Sequence, residues 1–243
     1  MKKNINTNLV FLHGWGGCWQ SWFPILENLK KNYSVYAPDL PGFGQNPIHK
    51  PYNLNNYVDF VCKYLKDNNI KDPILIGHSF GGAIISKIAA EKTISIKKII
   101  LVDAAPIRLP QTPKQKIITT ISKPAKSILS LPFFNKFYHP IKKILYRSLK
   151  LQDSGYADLE NPVLKKTFTT VIRQDLSPIL PKINIPTLII WGENDTDTPL
   201  SAGKKIHSLI PNSHLIIYPK SSHFAYLENK DQFIKDIKTF INK

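Results

Sequence analysis

Residues 74–82 read Ile-Leu-Ile-Gly-His-Ser-Phe-Gly-Gly, and no other stretch restricts the fold of this chain as strongly. A short apolar run, long enough for one buried strand, leads directly into Gly-x-Ser-x-Gly. Small apolar residues compatible with a helix follow it. A serine at such a junction sits on a sharp strand-to-helix turn with strained dihedrals, where bulky neighbours clash. Gly77, Gly81 and Gly82 supply the clearance. The helix then points its N-terminus at the serine, where orphan N–H groups and the dipole favour negative charge. Ser79 is thus the candidate nucleophile. The competing reading is a glycine-rich turn whose serine only caps the helix.

A strand feeding a helix in this way belongs to a parallel α/β architecture, and the rest of the chain repeats the pattern. Predicted strands cover 8–12, 34–37, 73–76, 98–102, 187–191 and 214–218, each rich in Ile, Leu or Val and bounded by Gly, Pro or Asp. Such runs suit strands buried on both faces. Leu54, Tyr57, Val58, Val61, Tyr64 and Leu65 recur at helical spacing, as do Phe233, Ile234, Ile237, Phe240 and Ile241. The alternation stops after Asp103. Six prolines between Pro106 and Pro140 divide the next stretch into short helical pieces with no strand pattern. The expected organisation is a core of residues 1–105 and 166–243 with a helical cap inserted at 106–165. That cap is too small to stand alone. With 243 residues and 42% hydrophobic content, one domain carrying an insertion fits better than two, and global disorder is excluded.

A serine hydroxyl is a weak nucleophile and needs a base, and the base needs an orienting acid. Catalytic groups in parallel sheets gather beyond the C-terminal ends of the strands. The run Thr187-Leu-Ile-Ile-Trp-Gly-Glu-Asn-Asp195 ends there, which makes Asp195 the preferred acid. Glu193, Asp197 and Asp103 compete with it. The loop after the last predicted strand carries His223, and the order Ser79…Asp195…His223 is the one this arrangement requires. His78 adjoins the nucleophile but is expected to point elsewhere on its tight turn. His13, His49, His139, His207 and His214 lie less favourably. After the first strand, His13-Gly14-Trp15-Gly16-Gly17 lets the backbone approach a developing oxyanion closely. The backbone N–H groups of Trp15 and Phe80 are the expected donors. Trp15, Phe80 and Phe224 are the aromatic residues expected to line a substrate pocket.

Composition narrows the partners. The net charge is +16, and the ten basic residues between Ala104 and Gln152, with no acidic residue among them, account for most of the excess. Such a segment would suit an acidic partner. Equally, 30 Lys and 18 Asn against 3 Arg are what A/T-rich codons produce. Nucleic-acid binding is not expected, because no recognised motif accompanies the charge. No apolar run spans a membrane, and membrane association is not expected. The start has too short an apolar stretch for a secretory signal. Cys18 and Cys62 form neither a disulfide framework nor a zinc motif, so a cytoplasmic protein is expected.

Taken together, His13-Gly-Trp-Gly16, Asp39-Leu-Pro-Gly-Phe-Gly44, Gly77-His-Ser-Phe-Gly-Gly82, Gly192-Glu-Asn-Asp195 and His223 resemble the α/β-hydrolase superfamily over the whole chain. The first two segments are similar to those of the small carboxylesterases that include the pimeloyl-acyl-carrier-protein methyl ester esterases. The resemblance implies an α/β-hydrolase fold with a nucleophile-elbow serine, an acid after the penultimate strand, a histidine after the last, and a helical cap. The family sheet usually opens with two strands before the His-Gly loop. Only seven residues precede the first predicted strand, so about six parallel strands are expected. Ser222 stands where the family commonly has Gly before the histidine. Phe224 stands where the carbon–carbon bond hydrolases often have Trp. The expected activity is hydrolysis of a small to medium carboxylic ester through an acyl-enzyme, with no metal or organic cofactor. Carbon–carbon bond hydrolysis, thioester hydrolysis and a non-catalytic binding role are the alternatives. An acidic acyl carrier protein is one partner the basic segment would suit. Oligomeric state is not legible.

Overall fold

Six apolar runs become six strands of a single parallel sheet in the computed structural model, which describes residues 7–108 and 161–243. They are β1 (Asn8–Leu12), β2 (Ser34–Tyr36), β3 (Ile74–His78), β4 (Lys98–Val102), β5 (Thr187–Gly192) and β6 (Ser213–Tyr218). The spatial order is β2-β1-β3-β4-β5-β6. β1 pairs with β2 on one side, through Val10 and Tyr36, and with β3 on the other, through Phe11 and Ile76. The chain therefore runs outward from β1 to β2, then returns to start β3 on the opposite flank. A crevice opens beyond the strand ends at such a reversal, and this one lies between β1 and β3.

Both faces of the central strands are apolar, and alternate residues serve opposite layers. Val10, Leu12, Leu75, Ile99, Leu101, Ile189 and Trp191 join one core. Leu9, Phe11, Ile74, Ile76, Ile100, Val102, Leu188 and Ile190 join the other. Helices α2 (Leu54–Asp67) and α3 (Phe80–Glu91) close the first layer with Leu54, Tyr57, Val58, Val61, Ile84, Ile85 and Ile88. Helix α1 (Phe23–Leu29) closes the second. The period-3.6 pattern of α2 reads directly into its buried stripe, and Asn53 caps it by accepting the Asn56 N–H at 3.1 Å. The edge strands β2 and β6 are only partly buried.

The chain leaves the sheet at Ala105 and re-enters through α4 (Pro162–Val171), whose N-cap Asn161 accepts from Val163 N–H at 2.9 Å. Departure and return are stitched together. Leu176 N–H donates to the Pro106 carbonyl at 2.8 Å, and Asp175 accepts from Arg108 N–H at 3.1 Å. The helical insertion predicted over 106–165 lies, from 109 to 160, outside the described residues. The described residues form one compact unit. It is completed by α5 (Leu200–Leu209), α6 (Ala225–Glu228) and α7 (Lys230–Asn242). One lysine sits inside it. Lys98 of β4 donates to the carbonyls of Phe240 (2.9 Å) and Ile241 (3.2 Å), satisfying the last turn of α7 with a cation. Among the described residues no helix is long and apolar enough to cross a membrane.

Candidate active site

The turn between β3 and α3 holds Ser79 at φ +49° and ψ −110°, a conformation that L-residues adopt only under constraint. The constraint is backbone pairing. Ser79 N–H donates to the Val102 carbonyl at 3.0 Å, and the Ser79 carbonyl accepts from Ala105 N–H at 3.0 Å and Ala83 N–H at 3.2 Å. The glycines make the turn possible by close approach. A Cβ on Gly81 would lie 2.4 Å from the Leu12 carbonyl oxygen, and one on Gly77 would lie 2.6 Å from the Gly81 carbonyl carbon. Gly81 thus lets α3 sit directly against the end of β1. Phe80 is the first residue of α3, so its N–H has no partner within the helix.

The His13-Gly14-Trp15 loop follows β1 beside this turn. A Cβ on Gly14 would lie 3.3 Å from Ser79 Cβ and 2.7 Å from His78 Nδ1, so the two loops are in contact. Buried His13 holds its loop from both ring nitrogens. Nε2 accepts the Leu40 N–H at 3.0 Å, which leaves the proton on Nδ1 to donate to the Gly14 carbonyl at 2.8 Å. Burial pushes the His13 imidazole below its ordinary pKa, in keeping with this neutral tautomer. Asp39 anchors the adjoining loop. It accepts Trp19 N–H at 2.7 Å and Gln45 N–H at 3.0 Å.

On the far side of the reversal, β5 ends at Gly192 and β6 at Tyr218. Asp195 and His223 meet in the loops that follow. His223 Nδ1 lies 2.8 Å from Asp195 Oδ2. A carboxylate only accepts, so Nδ1 carries the proton, and Nε2 of the neutral ring is left as an acceptor. The Asp195 side chain is wholly buried. Oδ1 accepts from Asp197 N–H (2.7 Å) and Thr198 N–H (2.9 Å), and Oδ2 also lies 2.7 Å from Thr198 Oγ1. Burial by itself would raise this carboxyl. The hydrogen bond and charge of His223, with the Thr198 donors, outweigh that and hold Asp195 below its ordinary value.

The competing acids occupy other positions. Glu193 accepts the Lys220 N–H at 3.0 Å. Asp197 Oδ2 stands 4.0 Å from His223 Nε2, on the opposite side of the ring from Asp195. Asp103 is fully buried at the end of β4, where Oδ1 accepts the Gly192 N–H at 2.8 Å. Burial pushes its pKa up to about 8, against which the backbone N–H groups of Gly192 and Ala225 work only in part.

The aromatic residues divide. Trp15 packs edge-on against Phe43 (4.8 Å) and Phe80 (5.4 Å), and is tilted against Phe168 of α4 (4.9 Å). The Phe80 ring is 7% exposed and lies against Tyr57. Phe224 is 48% exposed and lies against His78 (5.3 Å) and His223 (5.6 Å). Two participants escaped the sequence reading. Thr198 braces both Asp195 and His223, and nothing in its neighbours signals that. His78, expected to point elsewhere, is buried and places Nε2 2.8 Å from the His223 carbonyl. Its adjacency to the serine was the only available signal.

The parallel sheet, the strained Ser79 turn and the Asp195–His223 pair beyond the strand ends are features of an α/β hydrolase. The chain belongs to that family: the model of the alpha/beta hydrolase fold matches residues 7–230. Several of its relatives are named as ester hydrolases. It is 30% identical to the pimeloyl-[acyl-carrier protein] methyl ester esterase of Wigglesworthia glossinidia brevipalpis, over 98% of this chain and 95% of that one. It is 27% identical to the esterase of the same name from Pseudoalteromonas atlantica, over 95% and 92%. Among solved structures, a bromoperoxidase from Bacillus anthracis superposes with a TM-score of 0.74 at 24% identity, covering 98% of this chain and 92% of the other. That likeness speaks for the fold alone.

Proposed function

We propose that the protein is a serine carboxylesterase working through Ser79, His223 and Asp195. The observation that carries this reading is the 2.8 Å contact between His223 Nδ1 and the buried Asp195 carboxylate, at the same sheet edge as the strained Ser79 turn. With Nδ1 committed to Asp195, Nε2 takes the Ser79 hydroxyl proton as Oγ attacks the ester carbonyl. The Trp15 and Phe80 N–H groups stabilise the oxyanion that forms. His223 then gives its proton to the leaving alcohol, and water releases the acid by the reverse sequence. Asp195 stabilises the transient imidazolium and stays ionised throughout.

For the substrate, we favour a methyl ester of an acyl chain carried on an acyl carrier protein, as named for the relatives. The +16 net charge suits an acidic carrier. Trp15, Phe80 and Phe224 are the residues assigned to the acyl chain. A cytoplasmic location belongs to the same reading.

The test is hydrolysis of p-nitrophenyl esters of graded acyl length by wild type and Ser79→Ala, followed by free against carrier-bound methyl esters. Turnover that disappears in Ser79→Ala, by roughly 10⁴-fold or more, is expected with thermal stability nearly unchanged. Esterase activity that persists in the variant overturns the nucleophile. A folded wild type inert on every ester, yet active on a thioester or vinylogous diketone, overturns the substrate class.

A further inference from the structure

We propose that His78 is a positioning residue whose side chain ties the backbone of His223 to the nucleophile turn, so that a single hydrogen bond sets the reach between base and serine. This rests on the triad reading above.

The argument begins with what holds His223. Its imidazole is pinned at Nδ1 by Asp195. A pin at one ring atom leaves the ring free to swing about that contact unless the backbone beneath is also fixed. The preceding residues are well anchored: the Ser221 carbonyl accepts Asn194 N–H at 2.8 Å, and Ser222 donates its N–H to Glu228 at 2.8 Å. At His223 itself the carbonyl oxygen lies 2.8 Å from His78 Nε2. A carbonyl only accepts, so His78 is the donor and carries its proton on Nε2. No other chain segment intervenes. The side chain of residue 78 reaches the base, and residue 79 is the nucleophile.

The surroundings suit a permanent strut. His78 ends β3, and its ring is enclosed by Tyr226 (5.1 Å), His223 (4.7 Å) and Trp22 (6.4 Å). The other nitrogen, Nδ1, faces Gly14, where any Cβ would come within 2.7 Å of it. The ring thus occupies a slot between the oxyanion-type loop and the loop of the base. Burial, with His223 nearby, depresses its pKa to about 3. Burial thus favours the neutral ring, and the contact with the His223 carbonyl places its proton on Nε2. A positive charge here would oppose the imidazolium that catalysis requires, so a neutral donor is the chemically suitable strut.

Two substitutions separate the bond from the packing. His78→Phe keeps a ring and removes the donor; His78→Gln keeps an N–H near the Nε2 position and removes the ring. Both are first checked for wild-type-like unfolding. Steady-state kinetics on a p-nitrophenyl ester and the low-field NMR signal of the His223 Nδ1 proton are then compared. His78→Phe is expected to lower kcat about 10- to 100-fold with KM nearly unchanged, as a small misplacement of a catalytic group does. Its Nδ1 proton signal should move or broaden. His78→Gln should recover most of kcat and the wild-type signal. A folded His78→Phe with wild-type kcat and an unaltered signal overturns the proposal. So does equal impairment of both variants, which would assign the effect to packing. If wild type itself shows no ester turnover, the ester reading falls on its own, and the NMR comparison still decides whether His78 holds His223.

Discussion

The two halves of the proposed catalytic site are built by different means. The nucleophile half, between β1 and β3, is assembled from backbone and glycine: Gly81 lies against the Leu12 carbonyl, Gly14 against Ser79, and Ser79 hangs from Val102 and Ala105 by main-chain bonds. The acid–base half, after β5 and β6, is assembled from side chains: Asp195, Thr198, His223 and Glu228 bond to one another or to nearby amides, and Asp103 supports Gly192 from below. The first half depends on close approach at its glycines. The second, although a Cβ on Gly192 would also meet the Ser222 carbonyl at 2.2 Å, depends in addition on its side-chain donors and acceptors. A steric change should therefore disable the first, and an isosteric polar change the second.

Asp195→Asn offers the largest effect that would sharpen this contrast. The shape is retained, but an amide no longer stabilises the imidazolium and presents an N–H where Nδ1 needs an acceptor. A fall in kcat of about 10⁴-fold is expected, with little change in unfolding temperature. Steady-state kinetics beside a thermal melt check it; a drop below tenfold would break the comparison. Gly81→Ala is the complementary change. Its Cβ would meet the Leu12 carbonyl at 2.4 Å, backbone against backbone, which no rotamer relieves. A loss on the order of 3 kcal/mol of stability is expected from such overpacking, measured by urea unfolding. A variant as stable as wild type would show that α3 can slide on β1.

This division also explains what was legible in the sequence. The strands showed through as β-branched runs between Gly, Pro and Asp. Ser79 and its glycines showed because steric demand at a tight turn excludes other residue types locally. Chain order and strand-end placement, not their neighbours, point to Asp195 and His223. Thr198 and His78 do not show because the partner they share, His223, lies 25 and 145 residues away, and no local pattern encodes so distant a partner. Lys98, in an otherwise apolar strand, is the same case: its partners are the last carbonyls of α7.

Asp103 supplies the next test, since it supports the acid half from within the core. Its carboxyl titrates near 4 when unfolded and about 8 when folded. The folded state therefore holds a proton that the unfolded state gives up. The sign follows: as pH rises from about 4 to 8, wild type loses stability through this group, and above 8 the loss levels off. Asp103→Asn mimics the protonated acid and can still accept the Gly192 N–H. The variant should gain on wild type between pH 5 and pH 8 by on the order of 2 kcal/mol, about half of what a fully retained shift would give. Denaturant unfolding at the two pH values reads it. A difference independent of pH would mean that Asp103 is ionised in the fold.

The smallest expected effect is the most discriminating, because Thr198 touches Asp195, His223 and Asp103 at once. Its hydroxyl lies 2.7 Å from Asp195 Oδ2, 3.0 Å from the Asp103 carbonyl and 3.3 Å from His223 Nδ1, and its N–H donates to Asp195 Oδ1. Thr198→Val keeps the shape and the N–H and deletes only the hydroxyl. Asp195 then loses one donor of several, and His223 remains its main partner. A fall in kcat of about tenfold is expected, as for one hydrogen bond to a charged group, with unchanged KM. Thr198→Ser should return most of it. If Thr198→Val matched wild type while Asp195→Asn was crippled, the acid half would rest on one contact and not on a network. Its contrast with the glycine-built half would then reduce to the Asp195–His223 pair.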